Sequence, residues 1–549
     1  MKTIIKLSLG LFLALYVSGC TKNFDKINEN PNLPAEVSTP TLLTAAQKGL
    51  CDNIYDEWWG GRQSMLWAQY WVQRNYPSED RYAIRQTVNN QYWRFIYRNV
   101  MNLMEIIKLN KGAETKAKAA VYGDNNSQIA VATILKVWAM QIMADTYGDI
   151  PYSEAFRGDI DPAVSIPTPK YDKLTAIYAS FETELKAAVD MINLGSGFTT
   201  GDVIFQGDME KWKKFGNSLR LRVAMRISNT DNYKAAKAIV AEVGIDGLMT
   251  SNSDNAVFAY IGAEPNNSPL YDAWWTSARN DFTVAKPFIN ILKGVNDTLN
   301  NKINPFNGLI DPRLQIFTRL DRRLFPDIGT EYYGIPYGMT EGQTQQYWGK
   351  KLAPSWYGLA AYSSLYAPVI LNAKYAPVYM EYAEVEFMLS EMNTWDQTHY
   401  INGVTASIDH WRDISVKLEG RDASWVSDFN AQRDAYITAL PAAGKETVLT
   451  QKYLAFYNQA YQSWAEYRRT GEPAFLLKPG EQTSVGTDGT PIMFVPLLSY
   501  TITDLPRRLT YPQQEFTVNG TNASAAATAV GVGGDKMTTQ LFWQLPQAK

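Results

Sequence analysis

Only two cysteines and two histidines occur in this chain of 549 residues. Two cysteines, Cys20 and Cys51, cannot build a disulfide framework, and a chain this long can bury enough core to do without one. The histidines, His399 and His410, lack the i, i+4 spacing of a zinc pair, so metal-assisted or histidine-based catalysis is short of its usual material. Charge of one sign is missing too. The 52 Lys and Arg face 55 Asp and Glu with no basic block, which argues against a nucleic-acid partner. There is no GxSxG elbow, P-loop, HExxH or CxxC, and Gly533-Gly534-Asp535-Lys536 has the flavour of a phosphate loop without its spacing. The sequence therefore assigns no catalytic residue, no metal ligand and no cofactor. Beyond the N-terminus no long uninterrupted apolar run occurs, so no later segment reads as a membrane span.

What is present begins at that N-terminus. Lys2 and Lys6 precede an apolar stretch from Leu7 to Val17, too short to cross a bilayer and read as a signal segment. Val17-Ser18-Gly19-Cys20 resembles the lipobox of bacterial lipoproteins, which implies cleavage before Cys20 and acylation of that cysteine. At ~0.8 kcal/mol per buried methylene, several acyl chains give stable anchoring. Cys51 is then a single thiol, expected as a small buried apolar residue.

Aromatic residues are abundant: 16 Trp, 33 Tyr and 21 Phe. Much of this belongs in a core, but the tryptophans also gather among Asn, Gly, Ser and Arg, as in loops. Loop tryptophans suit carbohydrate, whose flat apolar faces stack on rings while hydroxyls take polar partners.

Along the chain, Thr21 to Thr39 reads as a tether followed by irregular structure. Helical periodicity then dominates to about Val243. Helices are expected from near Asn89, over Ile129 to Tyr147, over Tyr171 to Ile192, and around Trp212, Phe215, Leu219 and Val223. From about Thr250 to Lys374 the periodicity weakens and aromatics sit among polar residues, as in a loop-rich binding insertion. Helices return over Ala376 to Met392, Ile401 to Leu418, Asp428 to Leu440 and Val448 to Arg469. Paired helices of this length predict a mainly α fold, a tetratricopeptide-like helix-pair scaffold carrying the insertion. Met493-Phe494-Val495 reads as a short strand, and Ala523 to Gly534 as a low-complexity surface loop.

Three aromatic groups are candidate ligand platforms. The first is Trp67, Trp71 and Tyr76, beside Gln73, Arg74, Asn75 and Arg81; on a helix Trp67 and Trp71 share a face, which fits core packing equally well. The second is Asn266, Asn267, Trp274, Trp275, Arg279, Asn280 and Asp281. At most one of its adjacent tryptophans need be buried, and Arg279 and Asp281 offer charge-assisted hydrogen bonds. The third is Tyr347, Trp348, Trp356 and Tyr357. Asp145 and Asp149 are expected to cap and turn the chain where a buried helix meets Gly148 and Pro151, with a cation site shared with Glu154 as the alternative.

Several segments, in order, resemble the SusD/RagB family of nutrient-binding outer-membrane lipoproteins. They are Phe24 to Asn32 (FDKINENPN), Ala144 to Ala155 (ADTYGDIPYSEA), Trp212 to Arg222 (WKKFGNSLRLR), Asp311-Pro312-Arg313, Glu381 to Phe387 (EYAEVEF), Trp464 to Gly471 (WAEYRRTG) and Pro506 to Leu509 (PRRL). The resemblance implies a non-enzymatic lipoprotein on the outer face of the outer membrane. It would capture oligosaccharides or peptides and pass them to a SusC-like TonB-dependent barrel. The family shares no ligand motif, so the quoted segments are read as scaffold. The expected layout is a signal peptide at 1–19, a lipid-anchored tether at 20–40 and one domain at 41–549. Within that domain the helical scaffold spans 41–249 and 375–471, the loop-rich insertion 250–374, and an irregular C-terminal segment 472–549. Two rival readings remain at this point. An exported glycoside hydrolase would need two facing carboxylates, for instance Asp56 or Glu57 opposite Asp281. A structural envelope lipoprotein would bind no ligand at all.

Overall fold

Apolar residues at helical spacing form a row of helices, each packed on the one before it. The computed structural model describes residues 37–73, 76–158, 163–279, 281–318, 332, 334–344, 369–486, 488–497 and 502–545. The row consists of α1 (Thr39–Ile54), α2 (Gln86–Lys111), α3 (Asn125–Tyr147), α4 (Leu174–Asp190), α5 (Met209–Arg226) and α6 (Lys234–Val243). α3 is buried nearly all round, so it forms the axis on which α2 and α4 lie. Asp124 caps it, accepting from the Ser127 backbone N–H at 2.9 Å. Trp212 and Phe215 are fully buried in α5, as the spacing predicts.

The second helical group comprises α7 (Lys286–Lys293), α8 (Tyr382–Met392), α9 (Gln397–Glu419), α10 (Ala423–Ala439), α11 (Lys445–Ala455) and α12 (Ala460–Thr470). α8 packs on α5 and joins the two groups. The join is ionic as well as apolar. Arg222 of α5 forms a bidentate pair with Glu384 of α8, and Arg226 holds Asp145 of α3 at 3.2 Å and Glu466 of α12 at 2.6 Å. Arg469 reaches both oxygens of Glu391 at 2.7 Å. Charges buried like this must each find a partner, because breaking one pair costs ~3–5 kcal/mol. A cluster of Tyr70, Phe288, Phe317, Trp411, Tyr453 and Tyr457 fills the space between α7, α9 and α11.

The strands are short and pair two by two, all antiparallel. β1 (Trp71–Gln73) pairs with β5 (Phe282–Val284), β2 (Ile150–Pro151) with β3 (Tyr171–Asp172), and β4 (Ala256–Val257) with β6 (Val378–Met380). β7 (Gln482–Val485) pairs with β8 (Pro491–Met493) as a hairpin.

Four expectations need correction. The segment from Ala376 begins as strand β6 rather than helix, its three residues buried on both faces. Val448 to Arg469 is two helices, broken where Asn458 takes a left-handed φ of 68°. Ala523 to Gly534 is no loop over its first half, because Gly520–Ala529 is helical, with Ala523 and Ala526 buried. Asp145 is no cap: it accepts from the Tyr178 hydroxyl and pairs with Arg226, while Asp149 receives the Leu174 backbone N–H at the start of α4 and Lys173 at 2.8 Å. Glu154, the third member of the alternative cation site, is engaged separately by Lys170. Cys51 is fully buried, and burial pushes its thiol far up, leaving it inert at neutral pH.

Candidate functional site

The pattern Asp-x-Trp-Trp occurs twice, at Asp56 to Trp59 and Asp272 to Trp275, and both copies fold into π-helical turns, Glu57–Met65 and Asp272–Thr276. Such turns are rare and concentrate at functional regions. Each turn splits its tryptophan pair. In the first, Trp59 stacks on Tyr92 of α2 with ring centres 4.0 Å apart, and Trp58 stays half-buried. In the second, Trp274 is buried whereas Trp275 is 62% exposed.

Local chemistry holds the first turn in place. The Asp56 carboxylate accepts from the backbone N–H groups of Trp58, Trp59 and Gly60 at 3.1, 2.8 and 3.2 Å. Burial, with Glu57 adding to it, pushes the Asp56 carboxyl up to about 8 against the pull of those three donors. Gly60 permits the close approach: a Cβ there would lie 2.6 Å from the Ile54 carbonyl oxygen.

Strand pairing brings the second turn alongside. Gln73 of β1 lies opposite Phe282 of β5, so Asp281 and Arg279 are carried back to the first turn. Arg62 donates to Asp281 at 2.9 Å and lies 3.8 Å from Glu79. Its guanidinium sits 5.0 Å from the Trp58 ring centre, and that of Arg279 sits 5.4 Å from it. Each such contact contributes ~0.5–1 kcal/mol at an exposed site, enough to fix the indole's orientation. Glu57 joins the same cluster. Burial raises its carboxyl, Arg62 and Arg279 pull it down, and Asp272 pushes it up again. Asn267 braces the second turn, donating to Glu264 at 2.9 Å and Asp272 at 3.0 Å, and the Trp275 indole N–H donates to the Leu371 carbonyl at 3.3 Å.

The sequence candidates now sort by position. Trp275 and Arg279 are exposed at the site, and Tyr76 stands 60% exposed in the turn that follows β1. Asn267, Trp274 and Asp281 are buried and position their neighbours. Trp71 is corrected: it is fully buried, as is Trp67, because the chain leaves its helix at Gln69, with φ 56°, and enters β1, whose three residues are all covered. Tyr347, Trp348, Trp356 and Tyr357 lie outside the described residues, as do Cys20, Arg74, Asn75 and Asn280. Trp58 and Arg62 were missed as candidates. The signal that could have found them is the repeated Asp-x-Trp-Trp.

Two of the three carboxylates named for a hydrolase are engaged by other groups, and the third, Glu57, stands among Arg62, Arg279 and Asp272. Asp281 is bonded to Arg62, and Asp56 is spent on backbone donors. What the arrangement offers is two tryptophan surfaces, an exposed guanidinium and a cluster of carboxylates and arginines: a platform for stacking and hydrogen bonding.

Comparison with known proteins gives the wider setting. The SusD-like_2 family, described as starch-binding and associating with the outer membrane, matches residues 31–493. No curated protein matches the chain. Among solved structures, a chitin-binding protein is 24% identical, with 92% of this chain and 100% of that one covered and a TM-score of 0.68. A SusD homolog from Parabacteroides distasonis is 19% identical over 92% of this chain and 98% of that one, with a TM-score of 0.68. A chitin-binding SusD homolog from Flavobacterium johnsoniae is 20% identical over the same shares, 92% and 98%, with a TM-score of 0.65. With a family match that spans most of its length, the chain belongs to the SusD-like family.

Proposed function

We propose that this protein is a lipid-anchored capture subunit on the outer face of the outer membrane, which binds oligosaccharide and hands it to a SusC-like TonB-dependent barrel. The observation that carries the binding half is the convergence of the two Asp-x-Trp-Trp turns, with the guanidiniums of Arg62 and Arg279 close to the Trp58 ring and Trp275 open to solvent. Sugar rings stack on such indoles while Arg279 bonds their hydroxyls. Arg62 pairs with Asp281, and Glu57 and Asp272 outnumber the one guanidinium of Arg279, so the carboxylates are in slight excess, which favours a neutral glycan over a polyanionic one. Because two solved neighbours are named as chitin-binding, oligomers of N-acetylglucosamine are the first glycans to test. Anchoring rests on the lipobox at Cys20, and the barrel partner on family membership.

The test is a mild-detergent pull-down of tagged protein from its native membranes, with a glycan panel run on the purified chain. A large TonB-dependent barrel recovered in near-equal amount, and a neutral oligosaccharide bound without being cleaved, is the expected result. Hydrolysis of the bound glycan would overturn the capture reading in favour of an enzyme. A barrel with no bound glycan or peptide would favour the structural one.

A further inference from the structure

Away from the tryptophan turns, a cleft of about 290 Å³ opens between α2, the Pro151 to Phe156 segment and the stretch Pro512 to Asn519. Its volume is at the small end of ligand pockets, right for one small group rather than a chain. Trp93, Tyr97 and Phe156 line it. Their rings are adjacent, with Trp93 5.3 Å from Tyr97 and Tyr97 5.5 Å from Phe156, and Phe156 is held in a left-handed conformation at φ 65°. Holding a non-glycine residue there costs energy, which the surrounding packing must offset. Behind Trp93 the Tyr171 ring lies 6.1 Å away, nearly parallel.

One acidic group lines this aromatic cleft. Glu515 is half-buried and accepts from the Tyr171 hydroxyl at 2.6 Å. Among the described residues no lysine, arginine or histidine pairs with it. Arg94 also lines the cleft, but it is exposed and its guanidinium lies over Phe95 at 5.1 Å; Lys170 pairs with Glu154 at 3.3 Å. Burial raises the Glu515 carboxyl above its usual value while the Tyr171 and Trp93 hydrogen bonds oppose the rise.

We infer that this cleft binds an aliphatic ammonium group, with the rings of Trp93, Tyr97 and Phe156 facing the cation and Glu515 accepting its N–H bonds. Rings supply the negative face of their quadrupole, and a partly desolvated carboxylate supplies a charge-assisted bond. The same chemistry is offered by an amino sugar with a free amine or by a lysine side chain. The site is distinct from the tryptophan platform: no residue lining the cleft belongs to either tryptophan turn.

The test is calorimetric titration of the folded chain with glucosamine, N-acetylglucosamine, glucose and the amide of Nα-acetyl-lysine. Expected is binding of the two amines, with N-acetylglucosamine and glucose weaker by about tenfold or more, the loss of one charge-assisted bond. Glu515→Gln keeps an acceptor for Tyr171 and should weaken both amines by a similar factor. Phe156→Leu, which removes a ring and keeps bulk, should weaken them by about threefold. Tighter glucosamine than lysine amide identifies the source as an amino sugar, and the reverse order identifies a lysine side chain. Equal binding of glucosamine and N-acetylglucosamine, indifference to Glu515→Gln, or no amine binding at all overturns the assignment.

Discussion

Replacing Trp275 by alanine isolates the platform from the fold, because this indole is 62% exposed and holds one hydrogen bond, to the Leu371 carbonyl. Losing that bond costs about 1 kcal/mol of stability at most. The binding loss is larger. A tryptophan can bury ~150–250 Å², and a sugar ring lying on one exposed face covers about a third of it, some 60–80 Å². At ~25 cal/mol per Å² this amounts to ~1.5–2 kcal/mol. The geometry-specific part of ring stacking adds ~0.5–1 kcal/mol. A loss of ~2–3 kcal/mol is a 30- to 150-fold rise in Kd, on the scale of ~1.4 kcal/mol per tenfold. The assay is calorimetry against the tightest member of a neutral panel of chito-, malto- and xylo-oligosaccharides, with thermal unfolding as the control. Trp275→Phe should recover part of the loss, since a smaller ring still stacks. Unchanged Kd in a Trp275→Ala protein with unchanged Tm would refute stacking at this position, and the platform would have to be argued from Trp58 alone.

Two further predictions concern the scaffold. Arg222→Ala strands Glu384, which is 1% exposed, and should destabilise the fold by ~3–5 kcal/mol, read as a lowered urea midpoint; a midpoint within error of the parent would mean the pair contributes nothing net. Burial pushes the His410 imidazole down to about 4, with Asp413 opposing, and Asn255 lies 3.3 Å from its Nδ1. Because the folded value lies below the unfolded one of ~6.5, the unfolded chain takes up this proton first. The contribution is therefore present above pH 6.5 and lost as pH falls towards 4, about 3 kcal/mol in all. His410→Gln should show a flatter stability profile than the parent between pH 6.5 and 4, and parallel profiles would sink the idea.

The scaffold was legible because its signals are redundant. α3 could be read from an apolar run ended by Gly148, and α2 and α4 from residues recurring three and four apart. Where a single residue decides, legibility failed. Nothing but Asn458 marks the break between α11 and α12, and no glycine or proline stands there. The same limit applies at the site. Helical spacing assigned Trp67 and Trp71 one shared face, but a positive φ at Gln69 ends that helix between them. The in-or-out choice of each tandem tryptophan depends on the π-helical register, which points Trp58 and Trp275 outward from opposite positions of the same dipeptide.

The segments that identify the family and the residues proposed to bind ligand fall in separate classes, for a physical reason. Arg222 and Glu384, from two of the identifying segments, form one buried pair, while Glu466 and Arg469 of a third lie in a separate buried ion network, to which Asp145 of a fourth is tied through Arg226. Arg313 pairs bidentately with Asp311 inside a fifth, and Arg508 of a sixth donates to the Tyr147 carbonyl at 2.7 Å. A buried charge tolerates few substitutions, since any change leaves its partner desolvated and unpaired. An exposed indole such as Trp275 is under no such constraint from the fold. On the proposed reading its identity answers to the ligand, and a change there is expected to alter binding without unfolding the protein. A scaffold readable by motif and a proposed platform whose exposed rings only the geometry sorts are thus two consequences of one arrangement, in which buried ion pairs fix α3, α5, α8 and α12 and leave the two tryptophan turns free to vary.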